Sequence, residues 1–95
     1  MELRSRDLNR AVGRVITERR EAAGLTQREV WTAAGMPKNS YVRLEWNESE
    51  WRINALDRVC QVLGVSIVDV LREAIDLADR DNPGGGPWLA ALGGE

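Results

Sequence analysis

The chain contains no histidine and no phenylalanine, one lysine (Lys38) and one cysteine (Cys60). Without histidine it lacks the side chain that most often moves protons or binds metals near neutral pH. A single cysteine excludes an internal disulfide and fits a reducing compartment. It also leaves no usable spacing for a metal site. Cys60 falls on an apolar helical stripe and is expected in the core. No enzyme activity, cofactor or metal is therefore expected. No apolar run approaches the roughly 20 residues that a membrane span needs, so no membrane association is expected. No basic start leads into an apolar block, so no secretory signal is expected either. The expected address is the cytoplasm, with the nucleoid or, for a phage protein, the host cytoplasm as its special cases.

What is present is a 95-residue chain of net charge −2. A chain of this size buries only about 60–65% of its unfolded surface, so one small core is expected. The charge is unevenly placed. Residues 1–47 carry nine basic groups against six acidic ones, a net of +3, while residues 48–95 carry four against nine, a net of −5. This asymmetry suggests a local nucleic-acid surface opposed by an acidic body.

Apolar residues recur at helical spacing throughout, with no strand-like alternation, so the class is all-α with five helices. Leu8, Val12, Val15, Ile16 and Ala23 predict a first helix over 7–23, stopped by Gly24. Thr26-Gln27-Arg28-Glu29 forms a capping box that opens a second helix running to Ala34, with Val30, Ala33 and Ala34 facing inward. Pro37 suits the first turn of a third helix over about 37–46, with Tyr41 and Leu44 on one face. Asn47 can take the left-handed geometry that ends it. Ile53, Leu56, Val59, Cys60 and Leu63 mark a fourth helix over about 53–63, stopped by Gly64. Ser66 and Asp69 resemble a second capping box, and a fifth helix follows to about Asp79 around Val70, Leu71, Ala74, Ile75 and Ala78. The expected division is a domain over 1–80 and a Gly/Pro hinge with a short apolar tail over 81–95. That tail, around Trp88, Leu89 and Leu92, is either flexible or part of a dimer contact.

Two short helices around Gly35, with a capping signal before the first and polar residues opening the second, have the shape of a helix-turn-helix. Arg20, Gly24-Leu25-Thr26-Gln27, Glu29-Val30 and Gly35 lie at one consistent spacing. Tyr41-Val42-Arg43-Leu44-Glu45, Asn47, Ile53, Leu56, Leu63-Gly64-Val65-Ser66 and Leu71 continue it. Over about residues 8–75 this pattern resembles the lambda-repressor-like, Cro/C1-type helix-turn-helix family. The resemblance implies a partly buried ion pair between Arg20 and Glu45. It implies a phosphate contact from Gln27 and a major-groove face at Lys38, Asn39 and Arg43. The chemistry agrees, since Arg and Lys donate to guanine and Asn pairs with adenine. Ser40 is expected to meet a phosphate. Arg28, Trp46 and Asn47 complete the expected DNA-facing set, although Trp46 can equally cover the loop or meet a partner.

The sequence departs from the family at Trp31, where a small residue is usual, at Pro37 in place of a Ser cap, at Asn47 in place of Gly, and at Trp51-Arg52 before the fourth helix. Trp31 must widen the crossing of helices 2 and 3 or turn into a neighbouring pocket, and the tryptophans are expected to repack the core.

The expected function is a DNA-binding transcriptional regulator of repressor or Cro-like type, possessing no cofactor. It would bind double-stranded operator DNA as a homodimer on a palindromic site. The alternative is an antitoxin or a protein-interaction module on the same fold, with a protein partner bound through the acidic C-terminal half.

Overall fold

Local capping chemistry sets where the helices begin and end. A computed structural model describes residues 6–81. It places α1 at Leu8–Ala22, α2 at Gln27–Ala33, α3 at Lys38–Glu45, α4 at Ile53–Leu63 and α5 at Ile67–Asp81, with no strand among the described residues. Asp7 caps α1 by accepting from the Arg10 N–H at 2.9 Å. The capping box is complete. Thr26 Oγ1 accepts from the Glu29 N–H at 3.1 Å, and Glu29 Oε1 accepts from the Thr26 N–H at 2.9 Å. These bonds hold the Glu29 carboxyl below its ordinary range.

At the end of α3 the chain turns through Asn47, whose φ is 60°. The Asn47 N–H donates to the Leu44 carbonyl and the Glu48 N–H to that of Arg43, the paired bonds of a Schellman motif. The family's usual Gly is thus replaced by the residue type best able to tolerate that backbone.

α1 packs chiefly along α5, and also touches α3 and α4; α2 packs on α3 and α4. Val15, Ile16, Val30, Tyr41, Val59, Cys60 and Val70 are almost fully buried where these helices meet. Each large side chain of this kind contributes about 1.5–3 kcal/mol through burial. Burial also pushes the Cys60 thiol up, so it stays protonated in the core. Trp31 and Trp51 are half-buried and pack against this cluster.

Four local expectations are corrected. Pro37 is the N-cap of α3 rather than its first turn, with φ −64° and ψ 148°. Its extended ψ keeps it outside the helix, and it supplies no side-chain cap. Ala33 is exposed, because Val30 and Ala34 alone define the inner side of so short a helix. Ile53 is 65% exposed, because it begins α4 ahead of the packed stretch. Ser66 accepts from the Val68 N–H at 3.1 Å, the second helical position rather than the third that a capping box uses. α5 continues to Asp81, and the expected hinge and tail beyond it lie outside the described residues.

The charge asymmetry also acquires a structural meaning. Arg6 of the α1 entry pairs with Asp79 at 2.9 Å, Arg14 approaches Asp81 at 3.9 Å, and Arg19 pairs with Glu73. Much of the acidic α5 therefore faces the basic residues of α1. The excess positive charge of the first half is not all available to a partner.

Candidate nucleic-acid interface

α3 buries Tyr41 and Leu44, which are 0% and 5% exposed. With 3.6 residues per turn, the opposite side is then Asn39, Val42, Arg43 and Trp46, at spacings of three and four. Lys38, Asn39, Ser40 and Arg43 are all exposed, and Trp46 is 64% exposed. Lys38 stands at one edge of this stripe and Ser40 at the other. The structure therefore brings Asn39, Arg43 and Trp46 onto one outward line. Arg28 is exposed at the start of α2, and Gln27 beside it is half-buried. Asn47 is exposed just past α3.

Arg28, Lys38 and Arg43 have no acidic partner among the described residues. The cations near the helix-turn-helix are thus open, while Arg14, Arg19 and Arg20 of α1 each have an acidic partner and Arg10 has none among the described residues. This distribution could not be obtained by counting charges.

Behind the stripe, Glu45 is the most heavily bonded side chain among the described residues. Its Oε2 accepts from Arg20 Nε at 2.9 Å and from the Tyr41 hydroxyl. Its Oε1 accepts from Thr17 Oγ1 at 3.0 Å, Gln27 Nε2 at 3.1 Å and Arg20 Nη2 at 3.2 Å. Arg20 also donates to the Leu25 carbonyl at 2.9 Å. Burial alone would push the Glu45 carboxyl up, but hydrogen bonds from Arg20, Tyr41 and Gln27 and the guanidinium charge hold it below its ordinary value. Burial and the Glu45 carboxylate push the Tyr41 phenol well up, so it remains a donor. One carboxylate thereby joins α1, the start of α2 and the end of α3.

A second node fixes the turn after α3. Asn9 Nδ2 donates to Asn47 Oδ1 at 2.9 Å and to the Ser49 carbonyl at 3.0 Å, while Asn9 Oδ1 accepts from the Trp51 N–H at 2.7 Å. Gly13 lies between the two nodes. A Cβ there would sit 3.1 Å from the Leu44 carbonyl oxygen and 3.4 Å from that of Glu45. The end of α3 therefore approaches α1 closely because position 13 has no side chain. Trp51 packs edge-on against Tyr41, with ring centroids 6.5 Å apart and planes at 87°. Its indole Nε1 is buried without an acceptor among the described residues.

Asn9, Gly13, Thr17 and the hydroxyl of Tyr41 were not legible as parts of this region. Only Gly13 left a trace, since a glycine inside a helical pattern costs about 1 kcal/mol against Ala unless close packing requires it.

The helix-turn-helix domain family matches residues 11–75 of the chain. The structure is similar to a crystal structure of the clp gene regulator ClgR from Corynebacterium glutamicum, with TM-score 0.77 and 29% identity over 82% of this chain and 83% of that one. A second ClgR structure gives TM-score 0.70 and 33% identity over 74% and 91%. The wild-type restriction-modification controller protein C.Esp1396I gives TM-score 0.67 and 25% identity over 73% and 88%. A search of the curated proteins finds no match.

Proposed function

The chain belongs to the helix-turn-helix domain family and has the fold of its DNA-binding transcriptional regulators, and from that premise we propose that it is a repressor, binding a palindromic operator as a homodimer. The observation that carries this reading is the outward line of α3, where Asn39, Arg43 and Trp46 lie exposed with Lys38 and Ser40 at its edges. Asn and Arg offer the donor and acceptor pairs that distinguish adenine and guanine in the major groove. Lys38, Arg28 and Gln27 flank that line and supply phosphate contacts, which position the helix without reading sequence. Asn47 lies beside the backbone, and Trp46 packs against sugar or phosphate.

Dimerisation is supported by the exposed Ile53 and Val68 at the starts of α4 and α5, which are 65% and 54% exposed. A two-fold dimer places two copies of α3 about one helical turn of DNA apart, which matches a palindrome. Such a dimer acts by occluding polymerase. The two named relatives are a gene regulator and a controller protein, which supports a regulatory role.

Fluorescence anisotropy of labelled DNA from the region upstream of the gene, titrated with protein, tests the reading. Saturable binding at low salt with a stoichiometry of two chains per site is expected. One chain per site removes the dimer, and no binding removes the repressor.

A further inference from the structure

We infer that Glu45 is a positioning residue for a phosphate contact made by Gln27, an inference that rests on the DNA-binding reading above. The Glu45 side chain is 2% exposed, so it cannot itself meet DNA. Gln27 is the first residue of α2, half-buried, and lines an open cleft together with Trp46, the cations Arg14 and Arg20, and the carboxylates Glu18, Glu21 and Glu45. Its Nε2 donates to Glu45 Oε1 at 3.1 Å.

An ionised carboxylate only accepts hydrogen bonds. The Gln27 amide must therefore turn its NH2 group, not its oxygen, toward Glu45. That fixes which end of the amide faces the protein. One N–H is used by Glu45, and the second diverges from it and remains able to donate. A phosphate oxygen is an acceptor of the same kind, so a single nitrogen can bridge the two anions.

Repulsion between them is limited, because Arg20 bonds both oxygens of Glu45 and offsets its charge. Thr17 and Tyr41 hold the same carboxylate from α1 and α3. The position of Glu45 consequently does not depend on Gln27, whereas that of Gln27 depends on Glu45. A glutamine at an unanchored helix start loses its rotamer freedom when it grips a phosphate. Gln27 has lost that freedom already on folding, which favours binding.

The test is a cycle of variants, read by the salt dependence of binding to a mixed-sequence DNA duplex. In the wild-type background, Gln27→Ala should weaken binding about tenfold, the size of one hydrogen bond to a charged group. It should also lower the slope of log affinity against log salt by about 0.9, one phosphate contact. Its melting temperature should fall only slightly, since Glu45 keeps its bonds from Thr17, Arg20 and Tyr41. In an Arg20→Met/Glu45→Met background, which removes both buried charges together, the same Gln27→Ala change should cost less than about twofold and leave the slope unchanged.

An equal loss in both backgrounds overturns the positioning role while leaving the phosphate contact intact. No loss on Gln27→Ala in the wild type overturns it by removing the contact. A wild type with no salt-dependent binding defeats the DNA-binding reading instead. A second measurement does not depend on how the variants fold. Nitrogen-15 relaxation of the Gln27 side-chain amide in the free wild-type protein should show an ordered group, and a freely rotating amide overturns the inference.

Discussion

Glu45 shows how much one side chain carries in a domain this small. Its carboxylate is buried and bonded by Arg20, Tyr41, Thr17 and Gln27. Removing it leaves the Arg20 guanidinium, itself only 11% exposed, without its counter-ion. Glu45→Ala should lose about 3–5 kcal/mol of stability, the usual cost of breaking a buried pair from one side. Urea denaturation measures this, and a loss below about 1 kcal/mol would mean that water replaces the carboxylate. The pH dependence follows from the direction of the shift. The folded carboxyl titrates below its unfolded value of about 4.3, so its contribution is fully present above that pH and is lost as pH falls through the lower folded value. Unfolding free energy should therefore rise with pH through that window. Glu45→Gln should flatten the rise, which urea titrations at a series of pH values will measure.

At the scale of elements, most helix ends were legible and most contacts between helices were not. Thr26 with Glu29, Gly64 and Asn47 announce their roles within a few residues, because capping is local chemistry. Gly64 and Asn47 do have the positive φ that their positions require, 68° and 60°. By contrast, Asn9 finds partners about forty residues away, and Thr17 finds Glu45 across nearly thirty, whereas the Arg20–Glu45 pair was implied by the family resemblance. The pairing of α1 with α5 is likewise invisible until the two helices are known to touch. The outward line of α3 was partly legible, since Tyr41 and Leu44 define its inner face, while the sequence left Trp46 open between that line, the loop and a partner. Capping also gives predictions of opposite sign. Thr26→Ala should cost about 1 kcal/mol by removing the α2 cap. Arg52 caps α4 without any side-chain bond, at φ −85° and ψ 146°, a backbone that serine adopts at such positions. Arg52→Ser should therefore stabilise the domain by about 1 kcal/mol, and it also takes a cation from a helix N-terminus. Thermal denaturation checks both, and an unstable Arg52→Ser variant would show that the Arg52 stem covers apolar surface.

Across the whole molecule, the cations of the α1–α5 face and those around the helix-turn-helix differ in kind, while Arg10, Arg52, Arg58 and Arg80 stand unpaired elsewhere among the described residues. Arg6, Arg14 and Arg19 are paired with the acidic α5, and Arg20 with Glu45. Arg28, Lys38 and Arg43 stand open around the helix-turn-helix among the described residues. An acidic protein can thus present a basic face. The two kinds should respond differently to salt. The α1–α5 pairs are largely exposed and contribute about 0–1 kcal/mol each, so stability should change little between low and moderate salt. Phosphate contacts release counter-ions, so DNA affinity should fall steeply over the same range. The most direct test compares the wild type with an Asn39→Ala/Arg43→Ala variant in anisotropy titrations on upstream DNA across that range. The wild type should bind with a steep salt dependence, and the variant should lose about 10²-fold or more in affinity while melting at the same temperature, since each good base contact is worth about 1–3 kcal/mol. A variant that binds as tightly as the wild type, or a wild type that shows no salt-dependent binding, would contradict the assignment of α3 as the DNA-reading helix.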